Sequence, residues 1–297
     1  MPTVSDPTAT VTEIDGRRLR LTHLDRVLYP QTGWTKAAAL RYYALVGPWL
    51  LPHLAGRPAS FLRFPAGVEG QRFWAKNVPA GAPGWLTTLD VTHREGEMRQ
   101  VVVADLPTLL WAANLGALEL HVPQWQQDPA EHDRLIIDLD PGPGTTIVDC
   151  CAVALLARRA LEEDGLTAWP KTSGAKGLHL MVPLRPTPER AATDYARGLA
   201  ARLRAAHPEL IVDRMDKSLR AGRVFVDWSQ NSSAKTTAAP YSLRAGPLPG
   251  VSAPLTWAEL GACRSPADLA YTPERVAARG TDPMAGLADP GNAAALR

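Results

Sequence analysis

The chain lacks most of the features that would place it early. No run of eighteen apolar residues occurs, and the first thirty residues carry no basic-then-apolar export pattern, so neither a membrane helix nor a signal peptide is expected and a cytoplasmic setting is. Cysteine is scarce. Cys150, Cys151 and Cys263 include one adjacent pair, a spacing that makes neither a zinc knuckle nor a disulfide framework. Net charge is nearly absent at +2, which excludes the simple picture of a uniformly basic nucleic-acid binder. No internal repeat is present either.

What is there is unevenly distributed. Residues 1–80 carry a net +5 and residues 171–245 a net +7, while the stretch between them, 81–170, carries −9. Two basic segments flanking an acidic one suit phosphate-binding walls around a metal-binding floor, although scattered solvated charge gives the same totals. With 297 residues, 45% of them hydrophobic, the chain has enough apolar material for a large core.

Periodicity and punctuation predict alternating strands and helices. A hairpin over 11–21 turns at Asp15-Gly16, and a helix starts after Thr35 and runs from Lys36 to Leu51, ending near Pro52. Strands are expected at 59–64, 100–104, 119–122, 135–139, 167–171, 178–182 and 224–228, with further helices over 106–116, 146–163 and 188–206. The segment 65–83 reads as a long Gly/Pro-punctuated loop, and the region after 228 as coil with one short helix after Thr272. The fold class expected is α/β, of the mixed α+β kind: antiparallel or mixed sheets flanked by helices, in one domain over 1–297 with approximate lobes at 11–130 and 131–280.

Three carboxylates carry the chemistry. Asp138 and Asp140 end the run Leu-Ile-Ile-Asp-Leu-Asp; a strand alternates faces, so both project to one side and Leu139 to the other. Two anions so close repel unless a cation lies between them, which points to a divalent metal; a solvated strand end is the bland alternative. Asp227 interrupts the apolar run Val-Phe-Val-Asp-Trp and needs a partner, either a metal shared with the first pair or an arginine such as Arg220 or Arg223. Ser173-Gly174-Ala175-Lys176-Gly177-Leu178-His179 places two glycines, a hydroxyl and a lysine at a turn between strands, where backbone N–H groups can converge on an anion. It lacks the spacing of a Walker loop.

Apolar-Asp-x-Asp, then Ser-Gly…His, then apolar-Asp, in that order, resembles the three motifs of the archaeo-eukaryotic primase superfamily. Leu28-Tyr29-Pro30, Thr35-Lys36, residues 51–58, His121-Val122-Pro123-Gln124-Trp125, Asp138 to Gly142, residues 172–179 and 217–244 are similar to the polymerase domain of bacterial ligase D. The similarity extends over nearly all of residues 20–275.

The resemblance implies a template-dependent nucleotidyltransferase that fills short gaps or extends broken DNA ends, prefers ribonucleotides and uses two Mn²⁺ or Mg²⁺ ions. It implies that Asp138, Asp140 and Asp227 are the catalytic metal ligands. Ser173, Lys176, Gly177 and His179 then contact the triphosphate, and His121, Arg220, Gln230 and Arg244 make further nucleotide or active-site contacts. Arg26 and Lys36 match positions that grip the 5′-phosphate downstream of a gap. Arg26 stands where lysine is usual, and arginine can hold a phosphate bidentately.

Phe73 and Trp74 match an aromatic pair that stacks on template bases, with core packing as the alternative. A second departure is Leu62, where the family carries lysine, so that Arg63 is the cation expected to serve. The expected partners are DNA with a 3′-hydroxyl primer and a downstream 5′-phosphate, NTP or dNTP, a Ku-type end binder and a DNA ligase. The chain itself has no room for a ligase or nuclease domain, so it is either a stand-alone homologue or an excised piece.

Two competing readings are less well supported, and of them the end-binding module is the alternative kept. A haloacid-dehalogenase-type hydrolase also begins with a strand ending Asp-x-Asp but wants Thr or Val where Gly142 stands. A non-catalytic end-binding module would use the basic segments and the aromatics without the carboxylates.

Overall fold

The computed structural model describes residues 9–93 and 96–296. The chain opens with a hairpin, β1 (Thr10–Ile14) and β2 (Arg17–Leu21), then a two-stranded ribbon, β3 (Val27–Tyr29) and β4 (Trp34–Thr35). Next come α1 (Lys36–Leu54), β5 (Ser60–Arg63), β6 (Phe73–Ala75), a hairpin of β7 (Thr88–His93) and β8 (Gly96–Val101), α2 (Leu106–Asn114) and β9 (Ala117–Val122). The middle of the chain is β10 (Glu131–Pro141), α3 (Ile147–Glu163), β11 (Trp169–Thr172), β12 (Leu178–Pro188), α4 (Glu189–Ala206), β13 (Ile211–Val212) and β14 (Val224–Asp227). Short pieces finish it: β15 (Thr237–Ala238), β16 (Leu243–Arg244), β17 (Gly250–Val251), α5 (Trp257–Ala262), α6 (Pro273–Ala277) and α7 (Ala285–Ala288).

Two sheets carry the molecule. The larger has strand order β11-β12-β10-β14-β13 and is antiparallel except where β13 runs parallel to β14; the second has order β15-β9-β5-β6. Helices α3 and α4 pack on the larger sheet through buried faces that include Cys150, Val153, Ala157 and Leu161 on one and Ala192, Ala196, Leu199 and Leu203 on the other. The apolar core is contiguous from Leu19 to Val276. The mixed α/β class expected from the sequence is the class observed.

Several boundaries differ, each for a physical reason. Helix α1 runs through Pro48 and Pro52 to Leu54. Each proline removes one helical hydrogen bond, yet burial of Tyr43, Val46, Leu50 and Leu54 keeps the helix going and Ala55 N–H closes it on the Leu51 carbonyl at 3.0 Å. The expected loop 65–83 contains an edge strand, β6. The expected strand 100–104 is instead the end of a hairpin that begins at Thr88, because Thr88 to His93 alternates too weakly to be read alone. After 228 the chain holds three short strands and several short helices where one was expected.

Burial also leaves two histidines uncharged. His53 and His132 are fully buried and neither ring nitrogen of either has a hydrogen-bond partner. Burial, reinforced by Arg57 and opposed by Asp133, pushes His132 down to about 4; burial and the nearby Arg134, Arg57 and Lys171 push His53 well below its ordinary value. A histidine whose pKa is depressed by folding contributes stability that is complete above its unfolded value near 6.5 and is lost as pH falls toward the folded one. Urea unfolding at pH 7 and pH 4.5 should therefore show a loss that His132→Leu reduces by on the order of 2 kcal/mol. An unchanged pH dependence in the variant would refute the assignment.

Candidate active site

Strand register builds the site. Lys171 of β11 lies opposite His179 of β12, His179 opposite Asp138 of β10, and Asp138 opposite Asp227 of β14. Directly opposed residues share a face, so Lys171, His179, Asp138 and Asp227 form one line across four strands. Asp140, two residues on, shares that face opposite Phe225, and the Arg220 guanidinium lies 3.7 Å from the Phe225 ring centroid. The three predicted carboxylates and His179 are thus brought together by antiparallel pairing, and Arg220 joins them from the short helix Lys217–Arg220 through its contact with Phe225.

Electrostatically the line is short of positive charge at one end. Burial and the neighbouring Asp140 and Asp227 push the Asp138 carboxyl well up, with Lys171 opposing; burial and Asp227 push Asp140 up, with Arg220 opposing. His179 is held neutral by burial and by the cations Lys171 and Arg244. Its Nε2 is 3.4 Å from Asp138 Oδ1, and that oxygen makes no hydrogen bond. Asp138 Oδ1, His179 Nδ1, Arg220 Nε and Arg244 Nε are all buried without a hydrogen-bond partner, a concentration that ordinary cores avoid and ligand sites show.

Among the described residues, no three His, Cys, Asp or Glu side chains already close round a single point. Asp227 is turned to cap the short helix Trp228–Asn231: its Oδ1 accepts from Ser229 N–H (3.0 Å) and Ser229 Oγ (2.6 Å), its Oδ2 from Gln230 Nε2 (3.3 Å). The donor set nevertheless fits a divalent cation: hard carboxylate oxygens, mutually repelling, one with an unused lone pair.

The glycine loop is more closed than its sequence suggests. Ser173 Oγ accepts from Ala175 N–H (3.2 Å) and Gly177 N–H (3.1 Å), so these two N–H groups are not free for an anion. Lys176 is exposed, and with Gly174, Thr145, Thr146, Gly250 and Tyr271 it lines a cleft of about 510 Å³. Gly177 has no room for a side chain: a Cβ there would lie 2.1 Å from the Leu139 carbonyl oxygen and 3.3 Å from Asp140 Oδ1. The loop is thereby seated against the end of the Asp-x-Asp strand.

A second cluster joins it from the smaller sheet. His121 of β9 is beside Glu119 (Nε2 to Oε2, 2.9 Å), and Arg244 of β16 reaches both Glu119 Oε2 (2.8 Å) and His121 Nε2 (3.2 Å). Arg244 also lies on the loop, since a Cβ on Gly174, at φ +71°, would meet its Cγ at 2.3 Å.

Phe73 and Trp74 are exposed rather than packed in the core. Adjacent in an edge strand, they project to opposite faces, Trp74 edge-on to His121 (4.8 Å) and Phe73 under Arg63 (4.9 Å). Arg63 is turned to that far face, its Nε donating to the Leu115 carbonyl at 2.9 Å. It therefore does not stand in for a cation at Leu62, which opposes Glu119 and Trp74 directly.

Arg26 and Lys36 also come together. Lys36 N–H donates to the Arg26 carbonyl (2.8 Å), Lys36 Nζ donates to the Thr22 carbonyl (2.6 Å), and Arg26 Nη1 to the Pro65 carbonyl (2.5 Å). Burial and the neighbouring Arg26 push the Lys36 ammonium down to about 8.

Two polar groups of the site escaped the sequence reading. Lys171 is fully buried, its Nζ donating to Ser252 Oγ at 2.6 Å. Glu119 interrupts the apolar strand Ala117–Val122, the same signal that marks Asp227. Gly142 explains why the dehalogenase pattern fails here: a Cβ at 142 would lie 1.9 Å from the Arg220 carbonyl oxygen, leaving no space for Thr or Val.

Among the described residues no helix is long and apolar enough to cross a membrane. The family described as LigD, primase-polymerase domain, matches residues 35–284. The multifunctional non-homologous end joining DNA repair protein LigD of Mycobacterium tuberculosis is 47% identical over 254 residues, covering 82% of this chain and 34% of the relative. The bifunctional non-homologous end joining protein LigD of Bacillus subtilis is 33% identical over 254 residues, covering 84% and 41%. The chain therefore spans a third to two-fifths of the length of these relatives. The solved polymerase domain of M. tuberculosis ligase D in complex with DNA superposes with a TM-score of 0.87 at 44% identity, over 91% of this chain and 98% of that one. By the family match, the identity to these relatives and the superposition on the solved domain, the chain belongs to the LigD primase-polymerase domain family.

Proposed function

We propose that this chain is a template-dependent nucleotidyltransferase that adds nucleotides, ribonucleotides preferentially, to a DNA primer at short gaps or broken ends. The observation that carries the reading is the line of Asp138 and Asp227, with Asp140 beside it, facing neutral His179, and near it the unpartnered Nε atoms of Arg220 and Arg244. Carboxylates hold divalent ions and the cations receive a triphosphate; a pure DNA binder has no use for buried acid beside phosphate.

In this reading Asp138, Asp140 and Asp227 hold two Mn²⁺ or Mg²⁺ ions, which when bound would acidify the primer 3′-hydroxyl and neutralise the departing pyrophosphate. Asp227, whose oxygens accept from Ser229 and Gln230, would offer their remaining lone pairs to the ion. Lys176, Ser173 and Arg244 hold the triphosphate in line, a positioning effect that accounts for much of the rate in phosphoryl transfer. Arg220, held over Phe225 beside Asp140, stabilises developing charge on the phosphoryl oxygens. No protein nucleophile takes part. Trp74, exposed against His121, offers a base a flat surface next to the nucleotide.

The names of the relatives place them in non-homologous end joining, and the solved neighbour is bound to DNA. The same repair setting, on DNA in the cytoplasm with a Ku-type end binder and a DNA ligase as partners, is the one proposed here.

The test is extension of a labelled primer on a short-gapped duplex, with Mn²⁺ or Mg²⁺, ribo- or deoxynucleotides, and with or without a downstream 5′-phosphate. Templated addition supports the reading, and no addition under either metal overturns it. The phosphate arm also tests Lys36. With its ammonium near pKa 8, stimulation by the 5′-phosphate should decline between pH 7 and pH 9, and Lys36→Arg should flatten that decline. Stimulation that is independent of pH in the wild type would remove Lys36 from the phosphate site.

A further inference from the structure

We propose that Glu119 is a positioning residue of the nucleotide site: its buried carboxylate clamps His121 and Arg244, and through Arg244 it sets the triphosphate loop. The proposal rests on the nucleotidyltransferase reading above and names a residue outside that mechanism.

Glu119 sits in the second sheet between β5 and β15, 4% exposed, with Leu118 and Leu120 beside it in sequence and Leu62 directly across from it. No cation of its own sheet pairs with it from across the strands. Its charge is met instead by Arg244 and Ala245 from a distant part of the chain and by His121 of its own strand. Oε1 accepts the Ala245 N–H at 3.0 Å, and Oε2 faces both Arg244 Nη1 (2.8 Å) and His121 Nε2 (2.9 Å). Burial pushes the carboxyl up, but the bond to His121, the charge of Arg244 and the Ala245 N–H outweigh it and keep the group ionised.

The consequence runs in one direction. Among the described residues Glu119 is the carboxylate paired with Arg244, whose Nε is otherwise unpartnered. Arg244 lies against Gly174 so tightly that a methyl group there would reach its Cγ, which makes the Arg244 side chain one wall of the loop bearing Ser173 and Lys176. Glu119 touches neither the carboxylates nor the loop itself, so it acts through Arg244 and His121. Leu62 matters here for what it is not: with an aliphatic group opposite, Glu119 has no competing cation on its sheet to draw it from Arg244.

A staple that served stability alone would lower Tm and leave kinetics untouched. A positioning role separates KM from kcat. Glu119→Gln keeps the shape and removes the charge; it should raise KM for a ribonucleoside triphosphate complementary to the template base by about tenfold, with kcat changed by less than about threefold. The Kd for the gapped duplex should not change. Glu119→Asp, one methylene shorter, should recover part of the loss. In an Arg244→Gln background, Glu119→Gln should have no further effect on KM, because the two residues act as one unit.

Should Glu119→Gln fail to fold, the aspartate variant carries the same test. A rise in nucleotide KM in the folded aspartate variant supports the proposal. Unchanged KM in a folded variant, or additive effects in the double variant, overturns it. A wild-type protein that extends no primer would fail the nucleotidyltransferase reading instead, so the two failures are distinct.

Discussion

Asp138→Ala should abolish templated extension, lowering kcat by on the order of a thousandfold or more, while the metal-free protein becomes more stable to heat. Both effects come from one arrangement. Asp138 is 6% exposed and sits beside two other carboxylates on the same face, and burial followed by Asp140 and Asp227 drives its pKa upward. A carboxyl whose pKa is raised by folding stabilises the fold below its unfolded value and loses that contribution as pH rises through the folded one. In EDTA the gain in Tm of Asp138→Ala over wild type should therefore be larger at pH 8 than at pH 5. Adding Mn²⁺ should raise the Tm of the wild type and leave the variant where it is. Retained extension in the variant, or a Tm that falls, would remove Asp138 from the proposed metal site.

Gly142→Ala should be nearly as damaging by a purely steric route. A Cβ at this position would lie 1.9 Å from the Arg220 carbonyl oxygen and 2.7 Å from both the Arg220 carbonyl carbon and the Arg223 carbonyl oxygen. All three are backbone atoms, so no side chain can swing aside. The two loops are also bonded to each other, Gly142 N–H to the Arg223 carbonyl at 2.9 Å and Gly222 N–H to the Pro143 carbonyl at 2.8 Å. Relief of the collision must displace Arg220 from its place over Phe225 and beside Asp140. We expect a loss of about 3 kcal/mol in stability and about a hundredfold in extension rate. Gly144→Ala is the matched control. Gly144 has φ +87° and nothing within 4 Å of an added Cβ, so it should show only backbone strain, about 1 kcal/mol, with extension retained. If the two variants behave alike, the link between the Asp-x-Asp turn and the arginine loop is not steric.

The parts of the site that were legible in the sequence are those governed by local rules. Asp138 and Asp140 share a face because strands alternate, and that follows from any residue count. Asp227 stood out because a charge interrupts an apolar run. The parts that were not legible depend on pairing between distant segments. Glu119 shows the same interrupted pattern as Asp227, but its meaning comes from Arg244, which belongs to a two-residue strand that no periodicity reveals. Arg63 reads as a basic neighbour of Leu62, yet the pleat sends it to the opposite face. The glycine loop looked open to an anion because sequence does not show that Ser173 Oγ already accepts two of its N–H groups. Strand β6 was hidden in a segment rich in Gly and Pro; it is three residues long and held by one neighbour, β5.

Strand β10 acquires its two neighbours at different times in synthesis. β12 follows after α3 and β11, but β14 appears only after α4 and β13 have been made. Until then the stretch from Asp138 to Pro141, which pairs with β14 in the finished sheet, is an open edge flanked by the apolar run Leu135–Ile137. Open apolar edges invite pairing with other chains, and native proteins blunt them with charge and with proline, which offers no N–H. Asp-Leu-Asp-Pro supplies both. The carboxylates proposed to hold metal are thus also placed to keep the nascent sheet from pairing with other chains, and Asp138→Ala, though more heat-stable once folded, should refold from urea in lower yield at micromolar concentration.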